Sequence, residues 1–226
     1  MANRLVYLPE GPTKDLGRLI RKLGDKYSDW QVFEHFVEMT AITISNAVDW
    51  VHQEEREKRY LEIVKRYTKE ELELFPKMYV LLAAALTDNL DDVLGAVFGA
   101  LELSNKYKGQ FFTPMHVCTM MGKISIVSDE ESIKEKGYMP MCEPCCGSGA
   151  MIIGAAQGMK ECGHDYQKQL LVLAQDVDLK CVHMCYVQLS LLSIPAIVIH
   201  GNTLAFEEIS KWYTPAYMVD GWIFRS

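Results

Sequence analysis

The stretch from Met139 to Met151 combines residue types that could hold a ligand. An apolar approach leads to the acidic residue Glu143, a loop with Gly147 and Gly149 follows, and a helical run completes the stretch. Glycine lets the backbone adopt positive φ and come close to a ligand. The pattern predicts a strand, a tight loop and a helix that present backbone N–H groups at the carboxyl end of the strand. Because Gly-x-Gly is common in such loops, its neighbours must decide the chemistry.

Two more apolar runs end in polar clusters. Leu170 to Gln175 ends in Asp176, and Ala196 to His200 ends in Gly201-Asn-Thr-Leu204. Short continuous apolar runs are typical of strands that are covered on both faces. With helices between them, the three strands predict a parallel sheet with right-handed crossovers. Ligands of such sheets bind outside the carboxyl ends of the strands.

The amino-terminal half is predicted to be nearly all helix, from residue 13 to about residue 101. Trp30 and Phe33 belong to a set of apolar residues near one face at helical spacing, which is typical of core packing between helices. A polar linker with a helix-stopping glycine follows. We therefore predict a helical domain at residues 1–103 and an α/β domain at residues 104–226.

Composition and charge restrict the function classes. Apolar residues make up 49% of the 226 residues, enough for a full core. The net charge of −7 argues against this chain alone gripping long DNA, since phosphate neutralisation needs clustered Lys and Arg. No apolar run is long enough to span a bilayer, and the first residues lack the apolar core of a signal peptide. We therefore expect a cytoplasmic protein without membrane contact, whose seven cysteines stay reduced.

Four short motifs occur in a specific order: Gln110-Phe-Phe-Thr-Pro114, Glu143-Pro-Cys-Cys-Gly-Ser-Gly149, Gln175-Asp-Val-Asp178 and Gly201-Asn-Thr-Leu204. Together they resemble the motifs of N6-adenine DNA methyltransferases, most closely the modification subunits of type I restriction systems. Asp92 to Leu101 also resembles the helix that precedes the Thr-Pro motif in that family. The resemblance implies an α/β fold in which a helical amino-terminal region precedes an incomplete Rossmann-like class I S-adenosylmethionine-dependent methyltransferase domain. It also implies S-adenosylmethionine as cofactor and methyl transfer to adenine N6 in DNA, within a restriction-modification-like system.

The resemblance further implies roles for several residues of the first two motifs. Phe112 and Thr113 would meet the amino-acid end of the cofactor. The Gly147-Ser148-Gly149 loop would let the methionine part lie close to the main chain. Glu143 and Pro144, at the first strand tip, would face the ammonium and sulfonium side of the ligand.

The second and third strand ends would hold the nucleoside, again by resemblance. Asp176 would accept hydrogen bonds from both ribose hydroxyls, and Val177 would cover one face of the adenine ring. Asn202 would replace the usual Asp and bind the exocyclic amine of the cofactor. Taken singly, each residue has a plainer explanation: Asp176 or Asp178 as a helix N-cap, Asn202 as a turn residue and Glu143 as a solvated strand end.

The base-binding motif of that family is missing. The family holds the flipped-out adenine with (Asn/Asp)-Pro-Pro-(Tyr/Phe) after a fourth strand, and the nearest match here is Thr214-Pro-Ala-Tyr217. We expect Tyr217 to be a packing or surface residue, and the catalytic residues stay unassigned. Two functions remain open: an adenine methyltransferase whose base pocket comes from a partner, or a cofactor-binding module that has lost catalysis.

No further strand is predicted, because Glu208 to Tyr213 does not resemble a buried strand. An open edge after three strands is a liability. We expect that edge to be covered by the helical region, by the tail or by another subunit. The chain is thus predicted to form homo-oligomers or to bind a partner through this edge, and to contact DNA with the help of another subunit.

A metal site is a further hypothesis. Cys142 and Cys145, together with Cys181 and Cys185, could supply four thiolates to zinc. The second pair lies on a predicted helix, and the first pair spans a strand tip and a loop. Convergence of the four is therefore not assured, and we predict thiols without a metal ion.

Overall fold

The computed structural model describes residues 4–101, 113–128 and 130–224. The amino-terminal part begins with a 3-10 turn at Arg4–Tyr7 and contains α1 (Pro12–Tyr27), α2 (Asp29–Asn46), α3 (Gln53–Val64), α4 (Lys69–Leu72), α5 (Leu74–Asp88) and α6 (Val93–Ala100). The second part contains α7 (Met115–Ser128), α8 (Glu130–Lys136), β1 (Met139–Glu143), α9 (Ala150–Glu161), α10 (Tyr166–Gln169), β2 (Leu170–Asp176), α11 (Leu179–Leu191), β3 (Ala196–Asn202), β4 (Glu207–Tyr213) and α12 (Pro215–Val219). Further 3-10 turns lie at Thr203–Ala205 and Trp222–Phe224.

The sheet has the strand order β1-β2-β3-β4. β1 pairs with β2 and β2 pairs with β3, both in parallel, so the three predicted strands and their direction are confirmed. α9 connects β1 to β2 and α11 connects β2 to β3. The predicted fold class, a helical region followed by a Rossmann-like, mostly parallel α/β sheet, is therefore confirmed.

The fourth strand corrects the sequence prediction, which placed none at this position. β4 pairs antiparallel with β3, from Ile197 opposite Tyr213 to Asn202 opposite Glu207. Its sequence does not resemble a buried strand because it is half exposed: Trp212 is 6% exposed, whereas Ile209 is 59% exposed. A strand at the edge of an antiparallel pair needs only one buried row. β4 thus covers the edge of β3 that was expected to be open. Only its last two residues, Trp212 and Tyr213, belong to the tail from Trp212 to Phe224 that was one of the expected covers.

Contacts with the helical part hold β4 in place. The guanidinium carbon of Arg56 lies 4.0 Å from the centroid of the Trp212 ring, and Arg56 donates a hydrogen bond of 2.8 Å to the Lys211 carbonyl. Arg56 also donates to Asp49 at 2.7 Å. Burial by itself would raise the pKa of Asp49, but hydrogen bonds from His52 and Arg56 outweigh it and lower the pKa. These long-range contacts explain why the local sequence does not reveal the strand.

Helix α11 joins the two parts of the chain. All residues from Lys180 to Leu189 are buried. α11 contacts β2 and β3 as well as α2, α5 and α6 of the helical part. One continuous hydrophobic core results, which runs from Leu5 to Trp212. The predicted division near residue 103 lies outside the described residues, and the two parts on either side of it share this core.

Glycines bring α7 and α9 into close contact. A Cβ atom at Gly154 would lie 2.5 Å from Cβ of Cys118, and one at Gly122 would lie 2.7 Å from Cα of Ala155. Larger residues would push the helices apart, since such distances lie well inside van der Waals contact. The packing fixes α9, the helix that follows the loop after β1. Within the described residues, no helix is long and apolar enough to cross a membrane.

His183 of α11 lies in the core beside β4. Its ring packs edge-on against Trp212 with centroids 4.7 Å apart, and its Nε2 atom has no hydrogen-bond partner among the described residues. Burial lowers the pKa of His183 to about 4. The imidazole of the folded protein is therefore mostly neutral above that pH.

We predict that His183 makes the protein less stable in acid. Between pH 6.5 and pH 4 the unfolded imidazole takes up a proton that the buried one does not. Its contribution to the free energy of unfolding therefore falls as the pH falls, by up to about 1.4 kcal/mol per pH unit. His183→Gln removes this component and flattens the pH curve, as measured by chemical denaturation at steps across that range. His116→Gln, an exposed position on α7, should keep the wild-type slope, and parallel curves for wild type and His183→Gln would contradict the prediction.

Candidate functional site

The loops that follow the three parallel strands meet at the carboxyl ends of those strands. The Gly147 N–H donates to Oδ2 of Asp176 at 2.9 Å, which joins the loop after β1 to the end of β2. The Thr203 hydroxyl donates to the Pro144 carbonyl at 2.8 Å, which joins the end of β3 to the same loop. The three predicted strand tips therefore lie together, as expected for parallel strands.

Asp176 is the main hydrogen-bond acceptor at the carboxyl ends of the strands. One carboxylate oxygen accepts from the Gly147 N–H, and the other accepts from the Asp178 N–H at 2.9 Å. The N-cap of α11 is Asp178, whose side chain accepts from the Lys180 N–H. The two roles left open by the sequence are thus divided: Asp178 caps the helix and Asp176 stays at the strand tip. An ionised carboxylate has about four acceptor sites, so Asp176 keeps acceptor capacity for hydroxyl groups of a ligand.

The glycine loop has the backbone that its sequence predicts. Gly147 has φ 54° and Gly149 has φ 99°, both in the region that side chains disfavour. The Gly149 N–H donates to the Cys146 carbonyl at 2.8 Å and closes a tight turn. Gly149 is the N-cap of α9 and provides no side-chain acceptor for the first turn of that helix. The Gly147 and Gly149 N–H groups are thus bonded within the protein, whereas the start of α9 has no side-chain cap and presents main-chain N–H groups near the carboxyl end of β1.

Ser148 differs from its neighbours in the loop. Its side chain is fully buried, and its hydroxyl donates to Oδ2 of Asp92 at 2.5 Å. The hydroxyl is therefore directed into the protein interior, and the predicted approach of the cofactor to this loop concerns the main chain of Ser148. Only its main chain remains at the loop.

Sequence reasoning missed the role of two buried residues behind this loop, Asp92 and Gln188. Asp92, the N-cap of α6, accepts from the Ser148 hydroxyl, from the Gly95 N–H at 2.9 Å and from the Gln188 amide at 2.8 Å. Burial raises the pKa of Asp92, although these hydrogen bonds oppose the rise. The one sequence signal was the place of Asp92 before a helix, which by itself indicates only a cap.

Glu143 and Asp176 make the carboxyl ends of the strands acidic. Oε1 of Glu143 accepts from the Cys145 N–H at 3.2 Å, within the loop. Burial, followed by the charges of Asp176 and Glu143, raises the pKa of Cys145, so both carboxylates act on the same thiol. Two carboxylates near one surface favour a cationic ligand.

Asn202 and Val177 lie at the ends of β3 and β2. The Asn202 side-chain oxygen accepts from the N–H groups of Leu204 and Ala205 at 3.1 and 3.3 Å, so Asn202 also holds the turn that follows β3. Val177 is 69% exposed directly after β2, where its side chain is available to cover a ligand ring. The turn role of Asn202 thus coexists with its position at the strand tip.

Thr113 is exposed before α7, and Phe112 lies outside the described residues. The Thr113 carbonyl accepts from the Cys118 thiol at 3.6 Å. Burial, followed by the charges of Asp92 and Glu143, raises the pKa of Cys118. A Cβ atom at Gly154 of α9 would lie 2.5 Å from Cβ of Cys118, so the start of α7 packs against the helix that follows the β1 loop.

The four thiols of the zinc hypothesis do not come together. Cys142 and Cys145 are exposed, whereas Cys181 and Cys185 are buried. Cys185 is hydrogen-bonded to Cys146, which is not one of the four thiols of the hypothesis. This hydrogen bond and burial raise the pKa of Cys146. The part of the chain that the structure describes contains no group of three or more potential metal ligands. All seven cysteines lie in that part, and no disulfide joins them.

Tyr217 is a packing residue, as predicted. It is 3% exposed in α12, and its ring stacks on Tyr213 with centroids 5.8 Å apart. The Thr214 hydroxyl accepts from the Tyr217 N–H at 3.4 Å and donates to the Ile194 carbonyl at 2.9 Å. Thr214-Pro-Ala-Tyr217 is therefore a cap and a core contact, and not an exposed base-binding loop.

Comparison with known proteins decides the family. A family model described as N-6 DNA methylase matches residues 87–219, more than half of the chain. The chain belongs to the N-6 DNA methylase family. The match begins at the end of α5 and includes Asp92, so α6, the last helix of the amino-terminal part, lies within the matched region.

A search of the solved structures returned a crystal structure from Listeria monocytogenes, described as a class I S-adenosylmethionine-dependent methyltransferase. It is 14% identical to this chain, with a TM-score of 0.43 over 88% of this chain and 56% of that one. This chain thus spans little more than half the length of that protein. A search of curated proteins gave no match.

We predict that Gly95→Ala and Gly99→Ala, both in α6, have opposite effects on stability. A Cβ at Gly95 would lie 2.7 Å from the Ser148 hydroxyl and closer still to the Asp92 carboxylate, which it would displace. We expect a loss of about 2 kcal/mol from this overpacking. At Gly99 no atom lies within 4 Å of the added Cβ, so the better helix propensity of alanine should add a few tenths to about 1 kcal/mol. Denaturant unfolding measures both, and equal effects would contradict the assigned packing around Asp92.

Proposed function

We propose that this chain binds S-adenosylmethionine at the carboxyl ends of its parallel strands and takes part in methyl transfer to adenine N6 in DNA. Membership of the N-6 DNA methylase family supports the reaction class. The observation that carries the cofactor proposal is the contact between the Gly147 N–H and Asp176, because it sets a main-chain loop directly beside a carboxylate with unused acceptor sites. A nucleoside joined to an amino acid needs both features.

Different residues at the carboxyl ends of the strands would contact different parts of the ligand. Asp176 would accept hydrogen bonds from the ribose hydroxyls, and Val177 would cover the adenine ring. The Gly147–Gly149 loop would contact the methionine part through its main chain. Glu143 would face the positive groups of the ligand, and Thr113 would meet its amino-acid end. When bound, the cofactor supplies an activated methyl group.

Charge supports a cationic ligand more than direct DNA binding by this chain. The sulfonium and ammonium groups of the cofactor are positive, and the carboxylates of Glu143 and Asp176 lie at the proposed site. The chain as a whole carries a net charge of −7, which opposes phosphate binding. We propose that DNA is held with the help of another subunit in a restriction-modification-like system. A cytoplasmic location is part of this proposal and agrees with cysteines that form no disulfide.

The base pocket would also come from another subunit. A flipped-out adenine needs an aromatic or apolar surface to stack on, and Tyr217 is buried. On the first edge of the sheet, β1 pairs with β2, and no other described strand pairs with it. Pro140 and Cys142 of β1 are exposed, and proline is typical of an edge strand. We propose that a second copy or a partner chain binds along this edge.

The first test of the proposal is calorimetric titration with S-adenosylmethionine. We expect Asp176→Ala to weaken binding by roughly tenfold to a hundredfold, since hydrogen bonds to a charged group contribute about 1.5–3 kcal/mol. Gly147→Val should abolish measurable binding, because a β-branched residue disfavours φ 54°.

The matched control is Asp165→Ala. Asp165 is the N-cap of α10 and precedes β2, so it lies toward the opposite end of that strand from Asp176. Its removal should leave the dissociation constant unchanged. Binding that survives both Asp176→Ala and Gly147→Val would put the site elsewhere, and a wild-type chain that binds no S-adenosylmethionine would refute the proposed function.

The second test addresses association through β1. Cys142→Asp puts a charge on the exposed face of this strand, and we expect it to reduce the sedimenting mass toward that of a single 25.7 kDa chain. Methyl transfer to adenine in DNA, measured with a radiolabelled methyl group on the assembled protein, should fall in parallel. Cys162→Asp is the control, because Cys162 is an exposed cysteine at the carboxyl end of α9. A wild-type monomer at high concentration, with no copurifying chain, would contradict the association.

A further inference from the structure

Three parts of the chain meet at a buried polar cluster behind the glycine loop. We call it the Asp92 cluster, and its side chains are Asp92, Ser148 and Gln188. Asp92 is 5% exposed, and Ser148 and Gln188 are fully buried. The main-chain N–H groups of Leu94 and Gly95 complete it. The cluster therefore combines the start of α6, the loop after β1 and the middle of α11.

Each side chain of the Asp92 cluster holds the others. Oδ1 of Asp92 accepts from the Gly95 N–H and from the Gln188 amide, and Oδ2 accepts from the Ser148 hydroxyl. The Gln188 amide group also donates to the Ser148 carbonyl at 2.8 Å, and its oxygen accepts from the Leu94 N–H at 3.0 Å. Ser148 is thus fixed twice, through its side chain and through its main chain.

Such a network makes movement of the loop costly. A buried carboxylate that loses a donor is left partly unsatisfied, and that cost exceeds the modest gain of an ordinary hydrogen bond. Moving Ser148 away from Asp92 would break bonds at both ends of the residue. Since Ser148 lies between Gly147 and Gly149, its position also sets the direction of the N–H groups on either side.

We propose that Asp92 is a positioning residue, which holds the Gly147–Gly149 loop in the shape that receives the ligand. The helical amino-terminal part then acts on the cofactor site through α6, although Asp92 itself touches no ligand. This inference rests on the proposed function for its effect on S-adenosylmethionine binding, but not for its effect on the loop.

The loop is tested first, without ligand, by amide hydrogen exchange. In Asp92→Ala we expect the N–H groups of Gly147 and Gly149 to exchange at least tenfold faster than in wild type, after correction for any loss of global stability. Asp92→Asn keeps one oxygen acceptor for the Gly95 N–H and the Gln188 amide, so it should restore much of the protection. Ser148→Ala removes only one hydroxyl and should loosen the same loop.

Affinity for S-adenosylmethionine is tested next. We expect Asp92→Ala to weaken binding roughly tenfold, because the ligand must then order a loop that the wild-type protein already holds in place. Asp92→Asn should lie between Asp92→Ala and wild type. The double variant Asp92→Ala with Ser148→Ala should bind no more weakly than Asp92→Ala, because both changes remove the same link.

The matched control is Asp49→Ala. Asp49 is also 5% exposed and hydrogen-bonded, but to Arg56 and His52 in the helical part. Its loss should reduce global stability and leave both the corrected loop exchange and the affinity unchanged. A general effect of removing a buried carboxylate would instead appear in both variants and would overturn the proposal.

The outcomes separate this inference from the proposed function. If wild type binds no S-adenosylmethionine, the proposed function fails, while the exchange experiment still decides the role of Asp92. If the loop exchanges at the wild-type rate in Asp92→Ala, Asp92 does not position it, whatever the affinity. If Asp92→Ala does not fold, Ser148→Ala makes the same decision, because unchanged loop exchange in that variant also overturns the inference.

Discussion

Removing a carboxylate from water is costly unless donors surround it, and Asp92 meets that condition with donors from separate parts of the chain. The Gly95 N–H comes from the first turn of α6, the hydroxyl of Ser148 from the loop after β1 and the amide of Gln188 from α11. These donors must all be present at once. The loop, the crossover helix and the end of the helical region therefore take their positions together, and the glycine loop depends on residues far from it in sequence.

The same constraint explains the role of α11. One side of this helix contacts β2 and β3, and another contacts the amino-terminal helices. Even its charged residue is covered: the Lys180 ammonium lies 3.8 Å from the centroid of the Trp30 ring. Stabilisation of the sheet and stabilisation of the helical part are thus one process, because each supplies a wall of the same core.

The two outer sides of the sheet are covered differently, and this difference bears on function. On the β3 side, β4 completes the sheet and is anchored by Arg56 and Trp212. On the β1 side, the exposed strand contains a proline and a cysteine, and the neighbouring face has Leu173 43% exposed. The acidic strand tips suit a small cationic ligand, whereas a polyanion needs positive charge from elsewhere. Binding a cofactor and binding DNA are therefore different tasks, and the described residues favour the first.

The sequence by itself determined the parallel strands, the glycine loop and the acidic residue at the end of β2. Apolar runs, positive φ at Gly147 and Gly149 and the N-cap of α11 at Asp178 are short-range properties, which depend on neighbouring residues. Only the tertiary structure decided the existence of β4, the burial of Tyr217 and the inward direction of the Ser148 hydroxyl. Ser148 and Gln188 lie 56 and 96 residues from Asp92 along the chain. No local pattern states which distant donor a buried acceptor will meet, because that depends on how the complete core packs.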